Sequence, residues 1–273
     1  MTEQIYQSLE RCRKCWLAPV FLGLALEVTG AVLLFTRSLS LGLRLALGGL
    51  VLWGTGTLYG KHRYRKACAE ARIQCCVGLK EPEFLSGKQA AALCPAVSDL
   101  SPHRFRVDRP LYMYPAKGQL KNVNVLLAEL TFGIHEENWP ARRYLSGTLL
   151  AAEAPGCPEG LIVLFGEPFT ETVQPTDYDS LICQESAGHE WHAFAPKGLK
   201  LGSGQVRALD ALQKAVRDAV LYSGNGRVSV LLNARFYSGQ YSLRSPMPRS
   251  TLNEDALPES GQVLAAAKSL TIQ

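Results

Sequence analysis

The chain has no internal repeat and no low-complexity tract, so solenoid, propeller and collagen-like architectures are excluded. It has no Gly-Lys-Ser/Thr ending to any glycine-rich stretch, which removes a Walker-type phosphate loop, and no His-Glu-x-x-His, which removes the familiar zinc helix. A second cysteine pair spaced to complete a zinc site with Cys12 and Cys15 is also missing. Basic charge is scarce where nucleic acid would need it. The net charge is +5, but residues 1–80 hold 11 Lys/Arg against 4 Asp/Glu, leaving 18 against 20, a balance of −2, for residues 81–273. With no basic stripe and no basic–aromatic interleave in that larger part, nucleic acid is not an expected partner.

Long apolar runs are confined to the N-terminal region. Trp16–Phe35 and Leu39–Tyr59 are separated by Thr36, Arg37 and Ser38 alone. At about 1.5 Å per residue, each run matches a hydrocarbon core of roughly 30 Å. A cleaved signal peptide is the rival for the first run, with Arg11, Arg13 and Lys14 as its basic region. The run is too long for that, and no small-residue cleavage site follows before the next run begins. The expected bilayer contacts are therefore residues 16–35 and 39–59. Arg11, Arg13 and Lys14 before the first run, with Lys61, Arg63, Arg65 and Lys66 after the second, outnumber Arg37 between them. The positive-inside rule then predicts both termini, and the large C-terminal part, in the cytoplasm.

Two ionisable residues fall within the runs, where an unpaired charge costs at least a few kcal/mol. Glu27 lies near the middle of the first helix and Arg44 about one and a half turns into the second, at depths that suggest either an ion pair across the hairpin or a snorkelling Arg44 with a protonated Glu27. Gly42, Gly48, Gly49, Gly54 and Gly56, opposite Gly23, Ala25, Thr29 and Gly30, predict close helix packing rather than a transport path.

Six of the eight cysteines precede residue 95, and the inferred compartment is reducing, so free thiols are expected rather than disulfides. Cys12 and Cys15 form a lone Cys-Arg-Lys-Cys, whose cations would lower a thiolate pKa. It reads as a chance or lipid-proximal pair; palmitoylation would need a eukaryotic cell.

After the second run the helix is expected to continue through Lys66–Val77 until Gly78 and Pro82 interrupt it, with a further helical turn or two over Lys88–Leu93. Pro95, Pro102 and Pro110 predict an irregular connector. Strands are expected at Val123–Leu127, Tyr144–Ala151, Leu161–Phe165 and Trp191–Ala195, with a loop at Pro155–Gly160. Val206, Leu209, Leu212, Val216 and Val220 then recur at threes and fours, predicting a helix from a Ser203 cap to about Leu221, stopped by Gly224 and Gly226. Alternation resumes at Val228, Val230 and Leu232, and Asp255–Leu270 offers a last helix. The expected organisation is a transmembrane hairpin with basic flanks at 1–66, a helical and irregular connector at 67–104, and a cytoplasmic α+β domain at 105–273 with an antiparallel or mixed sheet.

Asn122–Glu129 (NVNVLLAE), Tyr144–Leu150 (YLSGTLL) and the span Glu190–Gln240, with a strand ending in RFYSGQYS, follow two N-terminal apolar runs in this order. The pattern resembles the bacterial two-span membrane proteins grouped as domain of unknown function 3137 (DUF3137). The resemblance implies a bacterial inner-membrane location and supplies neither an activity nor catalytic residues.

Chemistry is concentrated in ESAGHEWH and the cysteine before it. Cys183, Glu185, His189 and His192 include the ligand types of borderline metals, and Cys183 with His189 as base and Glu185 as orienter would be a nucleophile set. On a helix His189 and His192 would share a face; on the strand expected here they point oppositely. Gly198–Gly204, with Lys197 and Lys200, reads as a connector and helix cap before a phosphate cradle. Glu167, Glu171, Asp177 and Asp179 read as a solvated acidic loop, and Trp139, Tyr144 and Trp191 as core or interface anchors. No catalytic, cofactor-binding or metal-ligating residue is assigned and no cofactor is expected. The function that follows is an interaction or scaffold module tethered to the membrane, with a protein partner or a second copy of the chain. A membrane-bound hydrolase or metal-dependent enzyme is the alternative.

Overall fold

The computed structural model describes residues 2–36, 39–93, 105–136, 143–165, 178–181, 191–216, 219–233, 236 and 241–271. Two long helices come first, α1 (Thr2–Thr36) and α2 (Leu39–Arg72), the second prolonged by one π-helical turn, Ile73–Val77. Both are long and apolar enough to cross a membrane. Their 35 and 34 residues exceed the roughly 20 a bilayer requires, so each continues beyond its apolar run as a polar-ended stalk. Helix ends where Gly78 takes φ +70, as the sequence predicts.

The chain divides into two units. The first comprises residues 1–77 together with 237–255; the second comprises residues 78–236 together with 256–273.

In the second unit, the described strands β1 (Lys80–Phe84), β2 (Phe105–Leu120), β3 (Val123–Glu136), β4 (Arg143–Glu153), β5 (Leu161–Phe165), β6 (Tyr178–Leu181), β7 (Trp191–Pro196), β8 (Ala219–Gly224) and β9 (Arg227–Leu232) form one sheet. Its order is β1-β2-β3-β4-β9-β8-β5-β7-β6, and every neighbouring pair is antiparallel. Among the described residues, three further helices belong to this unit: α3 (Gly87–Leu93), α4 (Ser203–Ala215) and α5 (Ser260–Leu270). The α+β expectation is thus met, with an antiparallel sheet.

Register shows how the core is built. Leu127, Leu150, Val230, Leu221, Val163 and Ala193 lie in one row across six strands, and each is fully buried. The adjacent row, on the opposite face, runs Ala128, Leu149, Leu231, Val220, Leu164 and His192; all but the histidine are buried. A sheet buried on both faces carries near-continuous apolar strands, which is why β5 reads LIVLF without alternation. Helices α4 and α5 pack on each other, and the Trp191 indole N–H donates to Asp210 Oδ1 at 2.7 Å, fixing β7 to α4. Trp191 is therefore a core anchor.

Four expectations are corrected. Strand β1 lies within the 67–104 connector, and Pro110 lies in β2 rather than in irregular chain; the register shifts between Asp108 and Leu111 and between Met113 and Ala116 accommodate Pro110 and Pro115, which cannot donate to a ladder. The helix begun at Ser203 ends at Ala215, its N-cap is Gly202, and Val220 and Leu221 are strand residues of β8. Gly224 and Gly226 do not stop a helix. Asn225 and Gly226 take φ 55 and 67 and turn the β8–β9 hairpin, the geometry a two-residue primed turn requires. Asp179 lies on β6 rather than in a loop, while Glu167, Glu171, Asp177 and Trp139 lie outside the described residues. Ser86 caps α3: its Oγ accepts from the Gln89 N–H at 3.3 Å, and Gln89 Oε1 accepts from the Ser86 N–H at 2.8 Å.

Candidate functional site

The first unit is built along a seam of small residues. Gly23 and Gly30 on α1, with Gly42, Gly49 and Gly56 on α2, recur every seven residues, the period that keeps one stripe facing a partner helix. A Cβ at Gly23 would sit 2.5 Å from Trp53 N and 2.7 Å from Gly49 O; at Gly49 it would meet Gly23 O at 2.6 Å and Glu27 N at 2.7 Å. The backbones touch. Gly48 and Gly54 meet nothing within 4 Å and face away, and Ala25 and Thr29 are exposed, so four of the small residues expected at the contact do not serve it.

The expected ion pair is also absent. Glu27 lies on the seam with its Cγ against Gly49, while Arg44, two residues and so about 200° beyond Gly42, lies on the exposed face of α2. No ion pair joins them.

Where the helices leave the apolar runs, Trp16 packs edge-on against Tyr59 with ring centroids 5.1 Å apart, placing an aromatic pair at the level such residues favour. Beyond it the seam acquires a third strand of chain. Tyr64 is buried, and its hydroxyl oxygen accepts the Met247 N–H at 3.1 Å. Arg13 Nη1 donates to Leu243 O and Arg65 Nε to Tyr241 O, both at 3.3 Å, while the Cys76 thiol donates to Thr251 O at 3.3 Å. Arg249, on the short 3-10 helix Arg249–Asn253, pairs with Glu3. Residues 241–253 thus clasp the stalk. Two cations that the sequence assigns to the lipid surface are taken up by backbone carbonyls of the protein itself.

Free thiols, as expected, are found at Cys12, Cys15, Cys68, Cys75, Cys76 and Cys157. Outside the apolar runs, burial and the neighbouring Cys15 push the Cys12 thiol up despite Arg63, so its basic surroundings do not make a reactive thiolate. Cys68, fully buried beside Tyr64, is pushed up to about 12, chiefly by burial.

In the second unit a groove of about 420 Å³ opens beside β1 and β2. Four of its six charges are engaged with one another: Lys117 Nζ lies 2.9 Å from Glu83 and Arg227 lies 3.5 Å from Glu153, while Arg227 also donates to Leu93 O at 2.8 Å. Glu83 and Glu153 are held in this way, whereas Glu81 in the same lining has no such pairing among the described residues.

Of the residues singled out in ESAGHEWH and its surroundings, Cys183, Glu185 and His189 lie outside the described residues. His192 is half-buried on β7 opposite Leu164, at the end of an apolar row. Among the described residues, no group of three or more His, Cys, Asp or Glu could hold a metal ion. The Gly198–Gly204 stretch is a cap: the Gly202 N–H, which would meet an anion, donates to Gln205 Oε1 at 2.8 Å. Sequence reasoning missed Glu129, a buried acid in register with buried Thr148. Its only signal was an acidic residue at the end of an apolar strand.

No family model matches the chain, and no curated protein matches it. Among solved structures, the crystal structure of the mycobacterial trehalose monomycolate transport factor A is similar at 13% identity, over 72% of this chain and 94% of that one, with a TM-score of 0.32.

Proposed function

We propose that the protein is an interaction or scaffold module anchored in a bacterial inner membrane by α1 and α2, with both termini and the α+β domain in the cytoplasm. The observation that carries the reading is the clasp. The chain passes between its two units at residues 77–78, 236–237 and 255–256, because the sequence beyond the sheet returns to bind the stalk before α5 is made. A tether needed only for location would require a single connection. Here residues from beyond the sheet are part of the anchor itself.

The basic residues Arg11, Lys14, Lys61, Arg63 and Lys66 support cytoplasmic termini through the positive-inside rule. Four of the six charges lining the 420 Å³ groove are held in ion pairs, a polar surface that suits recognition of another protein, and binding is the role assigned to the domain. Kinship with DUF3137 is carried by NVNVLLAE and YLSGTLL, which occupy the adjacent strands β3 and β4.

Topology is tested by placing single cysteines at Ser38 and Ser245 in a chain whose native cysteines are replaced by serine, then labelling intact cells with a membrane-impermeant maleimide. Labelling at position 38 alone is expected. Labelling at position 245 with protection at 38 would reverse the orientation and remove the cytoplasmic reading.

A further inference from the structure

A second groove, about 340 Å³, lies between the β2–β3 turn, the end of β4 and α5. Its walls are apolar: Val123, Ala154, Pro155, Leu264 and Ala265 contribute most of them. Two lysines border it, Lys121 on the turn and Lys268 in the last turn of α5. Among the described residues, neither side chain takes part in an ion pair. The carboxylate at the same border, Glu153, is engaged elsewhere, accepting from Asn124 Nδ2 at 2.8 Å and lying 3.5 Å from Arg227. The groove therefore presents two cations without a carboxylate partner among the described residues, beside apolar walls.

The position of Lys121 is built into the backbone. Lys121 and Asn122 take φ 50 and 65 in the two-residue turn, and a Cβ at Gly261 would lie 2.8 Å from Lys121 Nζ. Any residue larger than glycine at 261 would displace the ammonium. The volume falls within the range of small-ligand sites, which combine apolar walls with a few placed polar groups.

We propose that this groove binds a single-chain anionic amphiphile, with its carboxylate on Lys121 and Lys268 and its acyl chain along Val123, Pro155 and Leu264. Cation and apolar wall act together. A neutral chain of the same length lacks the head-group attraction, and a short carboxylate lacks the apolar contact.

The test uses the full-length chain in lipid nanodiscs with diazirine-bearing hexadecanoic acid and, in parallel, the corresponding alcohol. After photolysis and digestion, adducts are mapped by mass spectrometry; labelling within residues 16–59 by either probe serves as the internal measure of membrane partitioning. The acid is expected to label residues 121–123 and 261–271 roughly five- to tenfold more than the alcohol, as contacts with two exposed lysines would give. The Lys121→Gln/Lys268→Gln variant should fall to the alcohol's level, and Lys121→Arg/Lys268→Arg should retain the excess. Equal labelling by acid and alcohol, or adducts confined to residues 16–59, would overturn the proposal.

Discussion

Replacing Gly49 with alanine sets a methyl group into backbone. The new Cβ would lie 2.6 Å from Gly23 O and 2.7 Å from Glu27 N, where nonbonded heavy atoms settle at roughly 3.5 Å or more, so the helices must part locally by about 1 Å. Neither contact is with the far end of a flexible side chain, and rotamer change cannot relieve them. Overpacking of this kind costs about 1–3 kcal/mol. The same substitution removes the glycine penalty within a helix, a gain of about 1 kcal/mol. Gly48→Ala isolates that gain, because a Cβ at Gly48 meets nothing within 4 Å. The difference between the two variants therefore reports the seam alone. Gly49→Ala should be less stable than Gly48→Ala by about 1–3 kcal/mol, roughly 5- to 150-fold in the folding equilibrium. Titration of the full-length protein with SDS in mixed micelles, followed by tryptophan fluorescence, reads this difference, since Trp16 and Trp53 both line the helix contact. Equal midpoints for the two variants would refute the heptad seam and the backbone contact inferred from it.

Tyr64→Phe removes the acceptor for the buried Met247 N–H and should destabilise the clasp by about 1–3 kcal/mol, read as faster hydrogen exchange at residues 243–251 with little change in α4. Gly147→Ala would drive a Cβ into Leu232 O across the β4–β9 pair, so a fall in thermal stability larger than that of Gly156→Ala is expected, even though Gly156 has φ +84 and Gly147 does not. Iodoacetamide at pH 8 should alkylate exposed Cys15 well before Cys68 and Cys157, both buried and both raised by burial; an equal rate at Cys68 would show that the stalk opens, and at Cys157 that the sheet domain does. Because the folded pKa of Cys68 lies above its unfolded value, the stability of the neutral thiol is fully present below about pH 8.5 and lost as pH climbs towards 12; denaturant midpoints of wild type and Cys68→Ala should therefore converge over that range.

What could be read from the sequence, and what could not, follows from the range of the interactions. The apolar runs were legible because bilayer thickness sets their length, and β5 because five apolar residues between turn signals admit little else. Helix α4 was overextended because Val216 and Val220 continue its spacing by coincidence; Val220 belongs to a strand whose pairing with β5 and β9 no local pattern reveals. The Asn225–Gly226 turn was legible in principle, being the strongest short hairpin signal, but the helical period before it was weighted more heavily. Glu27 and Arg44 illustrate the limit of depth arguments: matching depth is necessary for a pair, and facing direction, fixed by the seam, decides it. The clasp left no mark at all. Arg13 and Arg65 look like any basic flank, and their partners are backbone carbonyls about 230 and 176 positions away.

The central claim, that the α+β domain binds a partner while α1 and α2 anchor it, is tested most directly by mild in-cell cross-linking of the full-length protein, detergent purification and mass spectrometry, with a chain of residues 1–66 as control. The account predicts a protein captured reproducibly by the full-length chain, through cross-links mapping to residues 78–236, and not by the hairpin. Capture of the same proteins by both chains, or cross-links confined to residues 1–66, would contradict it.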